Sequence, residues 1–89
     1  MSDQLYAALA FLIAADYIAI KCAANRAGYG YMASSIQGII QVEMEEGCFS
    51  AQTHRVALQY YTSPQRKHLL ELSVLEELKE AVKDYAEIR

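Results

Sequence analysis

The sequence contains little cysteine and no spaced set of metal ligands. Its two cysteines, Cys22 and Cys48, form neither a Cys-x-x-Cys pair nor the dense framework of a small secreted domain. The two histidines are also far from the cysteines in any zinc-binding spacing. We therefore expect reduced, partly buried thiols in a cytoplasmic protein that holds no metal and no cofactor.

No uninterrupted hydrophobic run is long enough to cross a membrane. Asp3 and Asp16 enclose 12 uncharged residues, and the run that includes Asp16 stops at Lys21. A helical span needs about 20 apolar residues, and a carboxylate at its centre costs about 2.5 to 3.5 kcal/mol. Asp3 also stands where a signal peptide would have basic residues. The sequence predicts a soluble protein without membrane contact or leader.

Catalytic motifs, internal repeats and low-complexity segments are absent as well. There is neither a Gly-x-Ser-x-Gly elbow nor a glycine-rich phosphate loop followed by lysine. Cys48 and His54 have the chemistry of a thiolate and its base, but only their closeness in sequence pairs them. The sequence predicts a protein that binds rather than an enzyme.

What the chain does have is an almost wholly apolar stretch at residues 5–20. Ser2 is suited to cap a helix, Asp3 suits its first turn, and Gly28 suits its end, so the pattern predicts one helix over residues 3–27. A helix that is apolar nearly all round must be enclosed. Because 54% of the 89 residues are hydrophobic and a chain of this size buries only about 60 to 65% of its surface, we expect a homo-oligomer.

Three further helices are predicted downstream. Ser34 or Ser35 caps a helix over 34–46 that ends at Gly47, and Ser50 caps a helix over 51–61. Ser63 and Pro64 begin a last helix over 64–88, because proline suits the first helical position. The predicted fold is all-α, a compact bundle of about four helices in a single domain, residues 1–89. A β-hairpin of 39–45 with 55–61 is the alternative for the middle of the chain.

Charge is segregated along the sequence. Residues 48–70 carry three basic and no acidic side chains, whereas residues 1–47 carry five acidic and two basic ones, and residues 71–89 six acidic and three basic. The basic segment predicts contact with an acidic partner. The partner-binding residues that we predict are Arg55, Arg66, Lys67 and His68.

A hydrophobic repeat with coiled-coil spacing runs along the last helix. Its members are Leu75, Leu78, Val82 and Tyr85, at intervals of three, four and three residues. We interpret this repeat as the oligomer interface, with packing inside the same domain as the alternative.

The turn after the first helix offers a different kind of site. Tyr29 and Tyr31 could stack on a planar group, Arg26 would supply charge, and the helix start at Ser34 would offer amides to an anion. This combination predicts binding of a nucleotide-like or other anionic small molecule.

A helix-turn-helix DNA-binding regulator is a third possibility. A reading helix from Ala51 would present Gln52, Thr53 and Arg55 to base edges, but His54 stands where a core residue is expected and the protein is acidic overall.

Asp16 has three interpretations: an ion pair with a basic residue of another helix, an exposed position, or a buried residue that gives specificity or contacts a ligand. The leading hypothesis is a self-associating adaptor or inhibitor that binds another protein stoichiometrically.

Overall fold

Five α-helices form the framework of residues 1–87, which are the residues that the computed structural model describes. They are α1 (Asp3–Phe11), α2 (Tyr17–Arg26), α3 (Ile36–Glu46), α4 (Ala51–Tyr61) and α5 (Leu72–Glu87). Short 3-10 helices occupy Leu12–Ala14, Gly30–Ser35 and Lys67–Leu69. No strand occurs in this part of the chain, so the all-α prediction is confirmed and the hairpin alternative is wrong. Five α-helices replace the four predicted ones.

The predicted helix over 3–27 is wrong, because the chain turns a corner inside it. After the 3-10 turn, Ala15 is extended (φ −70°, ψ 156°). Asp16 then starts α2, its carboxylate accepting the Ala19 N–H at 3.0 Å. The Gln37 side-chain amide lies 3.2 Å, 3.2 Å and 2.8 Å from the carbonyl oxygens of Leu12, Ile13 and Ala15. A cap and a distant amide therefore satisfy backbone groups that a continuous helix would have paired.

The corner also bears on membrane length. Within residues 1–87 no single helix has both the length and the apolar composition of a bilayer span. The segments Asp3–Ala14 and Tyr17–Arg26 meet those criteria only as a pair, and they are bent by 117°.

The central element is α4, which packs against α1, α2 and α5. Its buried side chains are Thr53, His54, Val56, Ala57, Tyr60 and Tyr61. The Ser50 hydroxyl accepts the Thr53 N–H at 3.2 Å, which confirms the predicted cap. At the other end the Tyr61 hydroxyl donates to the Ala8 carbonyl at 2.6 Å and fastens α4 to α1.

Two other predicted helix starts differ from the structure. The chain reaches α3 through the 3-10 helix, and Ser35 makes no side-chain capping bond. Residues 64–71 are turns and a 3-10 helix, so α5 begins at Leu72 instead of Pro64. The Ser63 hydroxyl donates to the Tyr60 carbonyl at 3.0 Å, and thus finishes α4 instead of capping a new helix. The predicted helix end at residue 88 lies outside the described residues.

One hydrophobic core is shared by all five helices. Leu9, Leu12, Ile20, Ile40 and Leu78 have no exposed surface. The first apolar segment is nevertheless only partly covered, because other apolar side chains along it face outward: Phe11 is 51% exposed, Tyr17 49% and Ile18 71%.

The expectation of partly buried thiols is wrong. Cys22 and Cys48 are both free and exposed. Cys22 lies on the outer side of α2, because Ala19 and Ala23 turn toward the core. Gly47, in contrast, ends α3 as predicted, with the left-handed φ of +79° that favours glycine.

Candidate functional site

The structure joins the two basic or aromatic sites that the sequence suggested separately. The Arg55 Nη1 donates a hydrogen bond to the Tyr29 hydroxyl at 2.9 Å. Arg55 comes from the predicted partner-binding set on α4, and Tyr29 from the predicted ligand-binding set in the turn after α2. Because α2 and this turn pack beside α4, residues 26 positions apart in sequence lie on one surface.

Arg26 reaches the same side of α4 from the end of α2. Its Nη2 donates to the Gln59 carbonyl oxygen at 3.2 Å. Gln59 is one helical turn beyond Arg55, so the two arginines lie along neighbouring turns of α4. The guanidinium of Arg26 also supplies positive charge to the C-terminal carbonyls of that helix, where a cation is favourable.

Arg66 approaches the last turn of α4 from the following loop. Its guanidinium carbon lies 5.0 Å from the centre of the Tyr60 ring, and its Nη1 donates to the Ser63 hydroxyl at 3.2 Å. Tyr60 directly follows Gln59, the residue that Arg26 contacts. We call the set Arg26, Tyr29, Tyr31, Arg55 and Arg66 the arginine–tyrosine surface.

Tyr31 is the most exposed aromatic residue of this surface. Its side chain is 79% exposed, and its ring meets that of Tyr29 edge to face with centroids 6.3 Å apart. Gly28 makes the preceding turn possible with a φ of +90°, after which the Tyr29 N–H bonds the Ala24 carbonyl at 2.8 Å. The turn thus holds Tyr29 beneath Arg55 and leaves Tyr31 facing solvent.

The three arginines of this surface form hydrogen bonds with uncharged groups. Arg26, Arg55 and Arg66 bond a carbonyl oxygen and two hydroxyl groups. Within residues 1–87 the one ion pair joins Lys79 and Glu76 on α5, at 3.6 Å. None of the three guanidinium groups therefore forms an ion pair within the described residues.

The remaining basic residues predicted to bind a partner lie at the edge of this surface. Lys67 and His68 are exposed in the 3-10 helix Lys67–Leu69, which directly follows Arg66. The structure orders them in a short turn but shows no contact between them and the two tyrosines among the described residues.

Ser34 does not join the other predicted ligand-binding residues. It is exposed within the 3-10 helix, and that helix continues directly into α3. Because α3 is entered from a helical turn, its first amides are not displayed as the open N-terminus that an anion site needs. Arg26, Tyr29 and Tyr31 thus share a surface, and Ser34 lies apart from the contacts that build it.

The residues that a DNA-reading helix would present are placed differently from that hypothesis. Thr53 has no exposed surface, and its hydroxyl bonds the Glu43 carboxylate. His54 is also buried; its Nδ1 lies 2.8 Å from the Ser50 carbonyl, so it donates there, and its ring meets Tyr85 at 5.0 Å. Gln52 and Arg55 are partly exposed, so of the three residues only Thr53 is withdrawn from solvent.

The predicted oligomer seam is packed against the rest of its own chain. Leu78 has no exposed surface, and Leu75 and Val82 lie partly buried against the core. Tyr85 lies against the His54 ring. These side chains therefore contribute to the core of a single chain, as the alternative interpretation expected, and their role as an oligomer interface stays a prediction.

Two titratable groups outside the arginine–tyrosine surface have environments that shift their pKa values. Burial, followed by the nearby Tyr60, raises the pKa of Tyr61 well above its usual value of 10.0, which keeps its hydroxyl a neutral donor to Ala8. Hydrogen bonds from the hydroxyl and amide of Ser2 lower the pKa of Glu77. Both groups hold α1 in place. In residues 1–87 no three His, Cys, Asp or Glu side chains come together as metal ligands.

Sequence reasoning missed the link between the two sets of residues and an apolar groove beside α1. The groove is lined by Phe11, Leu69 and Val74 among others. The only local signal for it was the pair Leu69 and Leu70 directly after the basic segment.

Comparison with models of protein families, with curated proteins and with solved structures gives no match.

Proposed function

We propose that the protein is a stoichiometric binder, an adaptor or inhibitor, that attaches the arginine–tyrosine surface to an acidic surface of another protein. The observation that carries this proposal is that Arg26 and Arg66, from two other segments, contact the end of α4, the helix that carries Arg55, and that each arginine has a neutral partner. An acidic partner would supply carboxylates to three guanidinium groups that form no ion pair within residues 1–87.

The chemistry of these side chains suits protein recognition. Guanidinium groups bind carboxylates through two parallel hydrogen bonds, which are stronger than neutral ones. Their present bonds to Tyr29, Gln59 and Ser63 restrain them before binding, which lowers the entropy lost in a complex. Arginine and tyrosine are also the residue types enriched at the energetic centres of interfaces.

An acidic protein is favoured over nucleic acid by the charge of the whole chain. Eleven acidic side chains outnumber eight basic ones, for a net charge of −3. A long polyanion would extend beyond the arginines and meet the acidic side chains of α3 and α5. A folded partner can present a few carboxylates to the three arginines alone. A cytoplasmic location stays a prediction.

Self-association is the second part of the proposal. The outward apolar side chains Phe11, Leu69 and Leu72 support it. Because most of the α5 repeat packs within the chain, we assign the contact between copies to these side chains.

Titration with a polyglutamate peptide, followed by amide chemical shifts, tests the binding surface. We expect the shifts to change around Tyr29, Tyr31 and Arg55, and an oligonucleotide of equal charge to bind more weakly. The double substitution Arg55→Gln and Arg66→Gln removes two charge-assisted contacts and should weaken peptide binding about tenfold or more.

Two further variants make this experiment decisive. Lys79→Gln removes one positive charge from α5, away from the surface, and should leave peptide affinity within about twofold. Tyr31→Ala changes a side chain that is 79% exposed, so it tests the surface without disturbing the core. Equal losses in Lys79→Gln and in the arginine variant, or tighter binding of the oligonucleotide, would contradict the proposal.

A further inference from the structure

An apolar groove opens between α1, the end of α4 and the start of α5. Its volume is about 400 Å³, and Ala7, Ala8, Phe11, Leu69, Leu70 and Val74 line it. Tyr61 forms part of its wall, and the bond from the Tyr61 hydroxyl to Ala8 fixes the two helices on either side. The groove is therefore held open by the fold.

Large apolar side chains stand at the edge of the groove. Phe11 is 51% exposed and Leu69 48% exposed, and Leu72, just beyond Glu71 of the lining, is 71% exposed. Ala7 faces the same opening with a small side chain, so a neighbouring helix can approach closely there. The same face of the molecule therefore has both a protruding aromatic side chain, Phe11, and a recess beside Ala7.

The charges at the two ends of the groove have opposite sign. At the start of α1, Asp3 is exposed, and Ser2 donates to the Glu77 carboxylate, which places a second acidic group there. At the other end, the exposed Lys67 and His68 directly precede Leu69 of the lining. The groove therefore has two acidic groups at one end and Lys67 and His68 at the other, and the exposed Glu71 adds an acidic side chain to its lining.

We infer that a second copy of this chain fills the groove, as a two-fold dimer in which each Phe11 inserts into the partner's groove. Two-fold symmetry brings the same face of both copies together, so one face must be complementary to itself. With the two grooves antiparallel, Asp3 and Glu77 of one copy lie opposite Lys67 and His68 of the other. The protruding Phe11 beside a recess fits this arrangement, as does the pairing of Lys67 with Asp3 and Glu77.

This inference rests on the self-association in the proposed function and gives it a location. Its central residue, Phe11, lies outside the arginine–tyrosine surface, and Lys67 and His68, which the sequence predicted to bind a partner, are assigned here to the dimer. The two proposals can therefore fail separately.

Sedimentation equilibrium of the full chain tests the dimer. We expect the wild type to be a dimer at about 50 μM, and Phe11→Arg to weaken dimerisation about 30-fold or more, because a central aromatic side chain dominates such an interface. The matched control is Ile18→Arg, which places the same charge at a more exposed apolar position on α2 and should leave the dimer intact.

Exchanging the charges at the ends of the groove tests the antiparallel orientation. Lys67→Glu should weaken the dimer, because it places like charges opposite each other, and Asp3→Lys in the same chain should restore it. Circular dichroism of each variant shows that the helices are retained.

Each remaining outcome overturns the inference in a different way. A wild type that is monomeric at about 50 μM overturns the dimer and self-association together, because a dimer of micromolar affinity would be mostly assembled at that concentration. A dimer that persists in Phe11→Arg, or that Ile18→Arg dissociates equally, keeps self-association but assigns it to another face. A double charge variant no tighter than Lys67→Glu overturns the antiparallel orientation. Polyglutamate binding, measured on Phe11→Arg, decides the other proposal independently.

Discussion

Glu77 on α5 is bonded to the first residues of α1. Its carboxylate accepts the Ser2 N–H at 2.9 Å and also the Ser2 hydroxyl. The same hydroxyl accepts the Leu5 N–H at 3.1 Å and caps α1. One serine therefore begins a helix and joins it to the C-terminal helix, and the sequence had shown only the first of these roles.

The bonds of Glu77 predict how stability depends on pH. The Ser2 hydroxyl, and then the Ser2 amide, lower the pKa of Glu77 from the usual value of 4.5. Because the folded pKa lies below the unfolded one, this contact stabilises the protein above pH 4.5 and is lost as the pH falls. The difference in free energy of unfolding between wild type and Glu77→Gln should therefore shrink between about pH 6 and about pH 3.

Urea denaturation at several pH values measures this difference. Glu80→Gln, at an exposed position on the same helix, is the matched control and should differ from wild type by a constant amount. A pH-independent difference for Glu77→Gln would show that the carboxylate does not hold α1.

At the scale of elements, the corner between α1 and α2 has two separate supports. Asp16 caps the new helix through the Ala19 amide, and Gln37 serves carbonyl groups at the end of the old one. Asp16 is an exposed capping residue, and within residues 1–87 it forms no ion pair, so the exposed interpretation of this residue is confirmed and a ligand contact stays a prediction.

Two substitutions of the capping residue Asp16 should lower the stability of the protein by different amounts. Asp16→Ala leaves the Ala19 N–H without its side-chain acceptor and should lower the free energy of unfolding by about 1 kcal/mol. Asp16→Asn keeps an acceptor of the same shape and should cost only a few tenths of a kcal/mol. Thermal or urea unfolding measures both, and equal losses would mean that the charge of Asp16, not its capping bond, is what matters.

Short sequence signals predicted where helices begin and end better than they predicted whether a helix is unbroken. Ser2 and Ser50 cap helices, and Gly47 ends one, because each of these choices depends on neighbours within four residues. The corner at Asp16 could not be predicted in this way. Alanine-rich sequence favours an unbroken helix, and the amide that stabilises the break comes from Gln37, 22 residues beyond Ala15.

The candidate site was predictable by residue type but not by arrangement. Arg55 and Arg66 were singled out by charge, and Arg26, Tyr29 and Tyr31 by the chemistry of a turn. Their union depends on how α4 packs beside α2, which is set by long-range contacts. The predicted helix start at Ser63 and Pro64 was wrong for a related reason, because the same residues can also end the preceding helix.

At the scale of the whole molecule, α4 lies between the two proposed interfaces. Tyr60 lies beneath Arg66 of the arginine–tyrosine surface, and the next residue, Tyr61, lines the apolar groove. A dimer formed through the groove would carry two arginine–tyrosine surfaces. Two such surfaces on one particle would strengthen attachment to a partner with two acidic sites.

The arginine–tyrosine surface is charged and the groove is apolar, so we expect salt to affect binding at these two surfaces differently. Raising NaCl from about 0.05 M to about 0.5 M should weaken polyglutamate binding about tenfold, because it screens exposed charges. Dimerisation depends mainly on apolar contact and should change by less than about threefold.

The two measurements, made on the same samples, separate the surfaces. Lys79→Gln should show the wild-type salt dependence in both. A dimer that dissociates in parallel with peptide release would contradict this division between an electrostatic and an apolar interface.

The bonds that secure α1 also bear on the order in which a growing chain can complete its fold. The Ala8 carbonyl, the carbonyls of the 3-10 turn after α1 and the Ser2 N–H are bonded to Tyr61, Gln37 and Glu77, all of which come later in the sequence. During synthesis α1 is therefore made well before the residues that complete its contacts. The position of α1 becomes fully fixed only after α5 has been made.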